Sequence, residues 1–161
     1  MAPPNRKLIT KMTAKAVNLA GLLLPEKSLV SINFVGDRMM ARINREYVGH
    51  TGTTDVISFC YCEDDMFDIE DEVAVELFIC ADTAKREGEA RKDSSYAREM
   101  VLYIVHGLLH AAGEDDLSPE PRKRMRRRER QIMKKLKENY DFDKIFPEYV
   151  NRDVSLNKGS L

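Results

Sequence analysis

The stretch Met100-Val101-Leu102-Tyr103-Ile104-Val105-His106-Gly107-Leu108-Leu109-His110 carries the reading of this chain. The residues before the first histidine are almost all apolar, the pattern of a helix buried on most of its sides. His106 and His110 stand four positions apart, which on a helix stacks both rings on one face, one turn apart. Gly113 follows the apolar run at the point where a helix can end on a left-handed residue. The chain can then turn back and bring an acidic side chain toward the imidazoles: Asp116, or its neighbour Asp115. Two neutral imidazoles and one carboxylate, with room left for water, make the ligand pattern of a catalytic zinc. Two imidazoles buried without partners would be costly. The sequence holds three histidines, and two of them fall here.

Glu99, Tyr103, His106 and His110 follow one another at steps of four, three and four. A polar stripe on an otherwise apolar helix marks the wall of a cleft. Glu99 and Glu114 are the candidate catalytic carboxylates, as general base or as partners that orient the ligands. The helix differs from that of the zinc proteases, whose motif has its general-base Glu directly after the first His. Gly107 occupies that position, where a small residue lets another backbone or a substrate come close.

These residues resemble the signature of the YbeY family of metal-dependent endoribonucleases: His106-Gly107-Leu108-Leu109-His110, then Gly113 and the acidic pair. A second block is similar to that family's segment ahead of its zinc helix: Asn44, Tyr47 and Gly49, followed by Thr54-Asp55-Val56-Ile57-Ser58-Phe59. Glu76-Leu77-Phe78-Ile79-Cys80 resembles one of its strands, and Met125 and Glu129 fit its next helix. The resemblance runs from about Leu29 to Leu136. It implies one zinc ion per chain, held by His106, His110 and Asp116. Many members have a third His where Asp116 stands, and others use Asp. A second departure is Val48, which interrupts the family's Tyr-Arg-Gly triplet. An arginine there would suit the negative charge that builds on phosphorus during cleavage, and Arg45 and His50 are the nearby candidates to replace it.

At 161 residues the chain suits one domain with a real core. We expect that domain over residues 1–140, followed by a partly disordered C-terminal tail over 141–161. The formal net charge is -1. No apolar run approaches membrane-spanning length and no signal-peptide h-region precedes the first helix, so a cytoplasmic protein without membrane contact is expected. Three cysteines, Cys60, Cys62 and Cys80, provide no paired framework and fit a reducing compartment.

Lys7–Leu24 has apolar residues at helical steps, with Pro25 to end it. Ser28–Val35, Val56–Tyr61 and Val73–Cys80 read as strands. Asp37 is the expected N-cap of a helix carrying Met40, Ile43 and Tyr47. Glu63–Asp71 is acidic and loop-like, and Asp82–Ala90 a short helix. Ser94 or Ser95 caps the histidine helix, and Ser118-Pro119-Glu120 opens another with Pro near its first turn. Strands alternating with helices predict a mixed α/β (α+β) domain, a small mixed sheet packed with helices around a central metal-binding helix. The family tends to begin with a strand, and none is evident before Lys7.

Charge is segregated. Every charged residue from Glu63 to Glu76 is acidic, whereas ten Lys and Arg lie between Arg122 and Lys137 against the single Glu129. That density attracts phosphate backbone without reading sequence, and Arg126, Arg127 and Arg130 are the candidate RNA contacts. No aromatic-interleaved platform for stacking bases is visible. The resemblance implies a single-strand-specific, zinc-dependent endoribonuclease acting with the small ribosomal subunit in rRNA maturation and ribosome quality control. Two other classes share the ligand set: a metallohydrolase of peptides or amides, and a non-catalytic ribosome-associated metalloprotein.

Overall fold

The computed structural model describes residues 2–61, 73–147 and 149. Three strands form one mixed sheet. Strand β1 (Leu29–Val35) runs parallel to β3 (Val73–Cys80), and β2 (Val56–Cys60) lies antiparallel on the other side, in the order β1-β3-β2. The acidic stretch predicted as a loop over 63–71 and Cys62 lie outside the described residues.

The period-two pattern of β3 sets the layers. Val75, Leu77 and Ile79 are fully buried on one face, in register with Val30, Ile32 and Phe34 of β1. Against this face lie the helices α1 (Arg6–Leu19), α4 (Tyr96–Ala111) and α5 (Pro119–Asn139), with α6 (Phe142–Ile145) closing the core. The other face carries the short α2 (Asp37–Ile43), whose Met40 and Ile43 pack on Ile57 and Cys80. Helix α3 (Ala81–Ala90) follows β3 directly and packs on α4. Helix α4 touches β2, β3 and the helices α1, α3, α5 and α6, which makes it the central helix the apolar run foretold.

Two close approaches hold α4 in place. A Cβ at Gly107 would stand 2.9 Å from Leu77 Cδ2 and 3.1 Å from Val56 Cγ2, so the small residue admits the sheet and not a substrate. Ser58 Oγ donates to the Gly107 carbonyl at 3.0 Å across the same contact. Gly88 of α3 meets the N-terminus of α4, where a Cβ would fall 2.5 Å from backbone atoms of Ser95 and Tyr96. Ser95 is the cap, accepting from Arg98 N–H at 3.1 Å, while Ser94 turns inward to donate to Glu99 Oε1 at 2.6 Å.

Several sequence expectations need correction. Helix α1 stops at Leu19, five residues before the predicted end. Gly21, at φ +67°, closes a Schellman turn in which Leu22 N–H donates to Val17 and Gly21 N–H to Asn18. Leu23, inside the range predicted as helix, is therefore 91% exposed. Asp37 is the first residue of α2 and not its cap. Asp82 of α3 accepts the Asp37 N–H at 2.8 Å, and the Asp37 carboxylate goes to Arg86. After Ile43 the chain widens into one π-turn, Asn44–Val48, ended by Gly49 at φ +78°. The wider turn takes Tyr47 off the stripe of Met40 and Ile43, leaving it 71% exposed. Of the tail expected over 141–161, residues 148 and 150–161 lie outside the described residues; in the described part Ile145 and Phe146 are buried, with Phe146 edge-on to Phe34 at 5.5 Å. In agreement with the expectation that no strand precedes Lys7, residues 2–5 carry none, and Asn5 caps α1 through Leu8 N–H.

Candidate metal centre

Helix α4 brings His106 and His110 to one face, and its C-terminus returns the acidic segment to them. The return uses a second Schellman turn: Gly113, at φ +96°, donates to the His110 carbonyl, and Glu114 N–H donates to Leu109. His106 Nε2 and His110 Nε2 are 3.0 Å apart, and Asp116 Oδ2 lies 3.8 Å from each. All three ligand atoms fall within 4.8 Å of one another, the only such group of His, Cys, Asp or Glu among the described residues. Asp115, the alternative third ligand, is engaged elsewhere: its Oδ1 accepts the Leu117 N–H at 2.7 Å.

The far nitrogen of each ring is also committed. His106 Nδ1 lies 2.9 Å from Glu129 Oε1 of α5, and His110 Nδ1 lies 3.2 Å from the Glu114 carbonyl oxygen. Donation of Nδ1–H from both rings would leave each Nε2 lone pair facing the centre. Carboxylate or carbonyl partners on the outer nitrogen are what a metal-binding histidine requires, so the donor set fits a tetrahedral N2O ion with one open position. Burial disfavours the charged form of His106. The hydrogen bond and charge of Glu129, with Asp55 and Asp116, outweigh it and hold the imidazole above its ordinary pKa.

Beside the centre runs a groove of about 450 Å³, walled by Glu99, Tyr103 and His106 of α4, Thr54 and Asp55 before β2, and Arg126 of α5. Glu99 is buried at 1% exposure, held by Ser94, while burial and the neighbouring Glu99 and Asp55 carboxylates push the Tyr103 phenol up. Glu114, the second candidate carboxylate, turns away from the groove. Its side chain lies between Arg128 Nη1 at 3.0 Å and Arg124 Nε at 3.4 Å, and it meets His110 only through its carbonyl. Arg45, Val48 and His50 line neither this groove nor the smaller pocket at Asp116.

Helix α5 divides by role. Arg128 caps the end of α1, donating to Ala20 O at 2.9 Å, and buries Glu114's charge. Arg126, Arg127 and Arg130 are exposed. Glu129 is the functional residue that sequence reading did not assign to the site. Its signal was present: the single acid between Arg122 and Lys137 asks for a specific partner. The fold also gathers Tyr47, Phe59, Tyr61 and Phe78 into an aromatic cluster on the opposite face of the sheet, from segments too far apart in sequence to read as one platform.

A mixed sheet crossed by a helix that presents two histidines, with an aspartate folded back onto them, defines a metallohydrolase-like domain. The profile of the family described as "Endoribonuclease YbeY" matches residues 4–137, and the chain belongs to that family. The protein named Endoribonuclease YbeY from Rhodopirellula baltica is 36% identical over 126 residues, covering 78% of this chain and 62% of its own length. Its namesake from Desulfitobacterium hafniense is 32% identical, covering 80% of this chain and 83% of its own length. The solution structure of TM1509 from Thermotoga maritima shares the fold, with a TM-score of 0.53 at 19% identity over 86% of this chain and 89% of that one.

Proposed function

We propose that this chain is a cytoplasmic, zinc-dependent endoribonuclease specific for single-stranded RNA. It matures the 3′ end of small-subunit rRNA and takes part in ribosome quality control, working on the small subunit. The convergence of His106 Nε2, His110 Nε2 and Asp116 Oδ2 carries the reading. The relatives' name, endoribonuclease, supports RNA as the substrate.

His106, His110 and Asp116 would hold one zinc ion, which when bound polarises a phosphoryl oxygen and acidifies water. The protein's own residues do the remaining work. Glu129 and the Glu114 carbonyl orient the two rings. Glu99, buried in the wall of the groove and held by Ser94, is the carboxylate placed to act as general base or to orient a group that does. Arg126, Arg127 and Arg130 attract the RNA backbone without reading its sequence. The site belongs to one unit over residues 1–140, to which Ile145 and Phe146 add core.

Incubating metal-loaded protein with single-stranded and structured rRNA fragments, beside His110→Ala, tests the reading. Cleavage confined to single strands and lost in the variant is expected. Cleavage that survives in the variant, or hydrolysis of a peptide and not of RNA, would overturn it.

A further inference from the structure

Two pockets meet at His106. The smaller, about 140 Å³, is lined by His106, Asp116, Arg122, Met125, Arg126 and Glu129. The larger is the 450 Å³ groove past Tyr103 and Asp55. His106, Arg126 and Glu129 line both. Glu129 is committed to His106 Nδ1, which leaves Arg126 as the one cation common to the two spaces.

The neighbouring guanidinium groups each have a partner. Arg122 Nε donates to the Asp116 carbonyl at 3.0 Å, and Arg124 and Arg128 hold Glu114. Across the groove, Arg91 pairs with Glu87 at 3.0 Å. Arg126 has no hydrogen-bond or ion-pair partner among the described residues. Arg127 and Arg130, one and four positions further on, line neither pocket.

We propose that Arg126 is a catalytic residue of the nuclease reaction, its guanidinium gripping the scissile phosphate where the two pockets join. The inference rests on the function proposed above and separates Arg126 from the diffuse backbone contacts of α5. Hydrolysis forms one bond from water oxygen to phosphorus and breaks one to a ribose oxygen. Water gives up a proton and the departing oxygen takes one up. In between, the equatorial phosphoryl oxygens carry added negative charge. A guanidinium offers two parallel N–H donors to two such oxygens, and a donor that strengthens as charge develops acts on the chemical step.

The test compares Arg126→Ala, Arg126→Lys and Arg127→Ala in metal-loaded protein, with two readouts. The first is kinetic. Arg126→Ala should lower kcat on single-stranded RNA by about a hundredfold, with metal content unchanged and part of the loss restored by Arg126→Lys. Arg127→Ala should act mainly on KM. The second needs no turnover: titration with inorganic phosphate, followed by the Arg126 Nε–H resonance and by affinity. Wild-type protein should shift that resonance, and Arg126→Ala should bind phosphate roughly tenfold more weakly. An Arg126→Ala variant with unchanged kcat and unchanged phosphate affinity would reduce Arg126 to one more backbone contact. A wild-type chain that cleaves no RNA would remove the nuclease reading. The phosphate titration would then decide Arg126 by itself, and equal affinity in wild type and Arg126→Ala would overturn its role.

Discussion

Glu129 Oε1 stands 2.9 Å from His106 Nδ1, joining the single acid of the basic stretch 122–137 to the first histidine of the candidate metal centre. The contact fixes the ring so that Nε2 faces His110 and Asp116. Glu129→Gln keeps a hydrogen-bonding group and removes the charge. Metal affinity should fall on the order of 10- to 100-fold, measured by competition with a chromophoric chelator. Equal affinity in the two proteins would mean that the ring is held by packing alone.

Asp116 and Asp115 should separate cleanly. Asp116→Ala removes the carboxylate that faces both imidazoles, so metal stoichiometry measured by elemental analysis should collapse. Asp115→Ala should retain the metal and lose only a turn hydrogen bond to Leu117 N–H, costing about 1 kcal/mol. Retention of metal in the first variant and loss in the second would exchange the two roles.

Within α5, reversing Arg127 and Arg130 to Glu should weaken binding of single-stranded RNA whatever its sequence. If both contact phosphates, the salt dependence of log K should flatten by about 1.4, from roughly 0.7 per single-strand contact. Arg128→Ala should act differently, lowering the thermal midpoint, because Arg128 ties Glu114 to the end of α1. A salt slope unchanged in the double reversal would make those two arginines a solvated face.

The two tight glycines should differ in cost. Gly88→Ala drives a Cβ into the backbone of Ser95 and Tyr96, which cannot yield without moving α4. It should cost about 3 kcal/mol or more. Gly107→Ala meets only side-chain methyls of Leu77 and Val56. Relaxation and the better helix propensity of Ala should keep it within about 1 kcal/mol of wild type. Urea unfolding midpoints of the two variants decide the order.

Asp37 gives the fold an acid-sensitive joint. The hydrogen bonds from Arg86 lower its pKa, against the opposing effect of burial. A carboxylate with a depressed folded pKa contributes stability above its unfolded value of about 3.9 and loses it as pH falls through the lowered folded value. Asp37→Asn should therefore lower stability at neutral pH and flatten its acid limb below pH ~4. Equal pH slopes for Asp37→Asn and wild type would show that the pair carries no linkage.

The largest part of this protein was legible where chemistry and periodicity are local. The apolar run 100–105, the four-residue histidine spacing and Gly113 foretold a buried helix that ends in a turn back, and α4 does so. Val73–Cys80 reads as a strand, and β3 is one, buried across both its faces at Ala74, Val75, Leu77, Ile79 and Cys80. Boundaries went wrong where the decisive residue was weighed too lightly. Gly21 ends α1 before Pro25 is reached, because a left-handed glycine satisfies the last carbonyls of a helix sooner than a proline forbids its continuation.

By itself the sequence determined which residues had the chemistry of a metal centre: two histidines one turn apart and an acidic pair just beyond a helix-ending glycine. Only the tertiary structure set Asp115 and Asp116 apart, since one backbone turn points one carboxylate at Leu117 N–H and the other at the imidazoles. It also divided the arginines of α5 into those that clasp Glu114 and those left to solvent, and gave Glu129 to His106 across 23 positions. The reason is physical. Spacing along a helix fixes which side chains share a face, but a partner on another element is chosen by how two elements pack, and local sequence does not encode that.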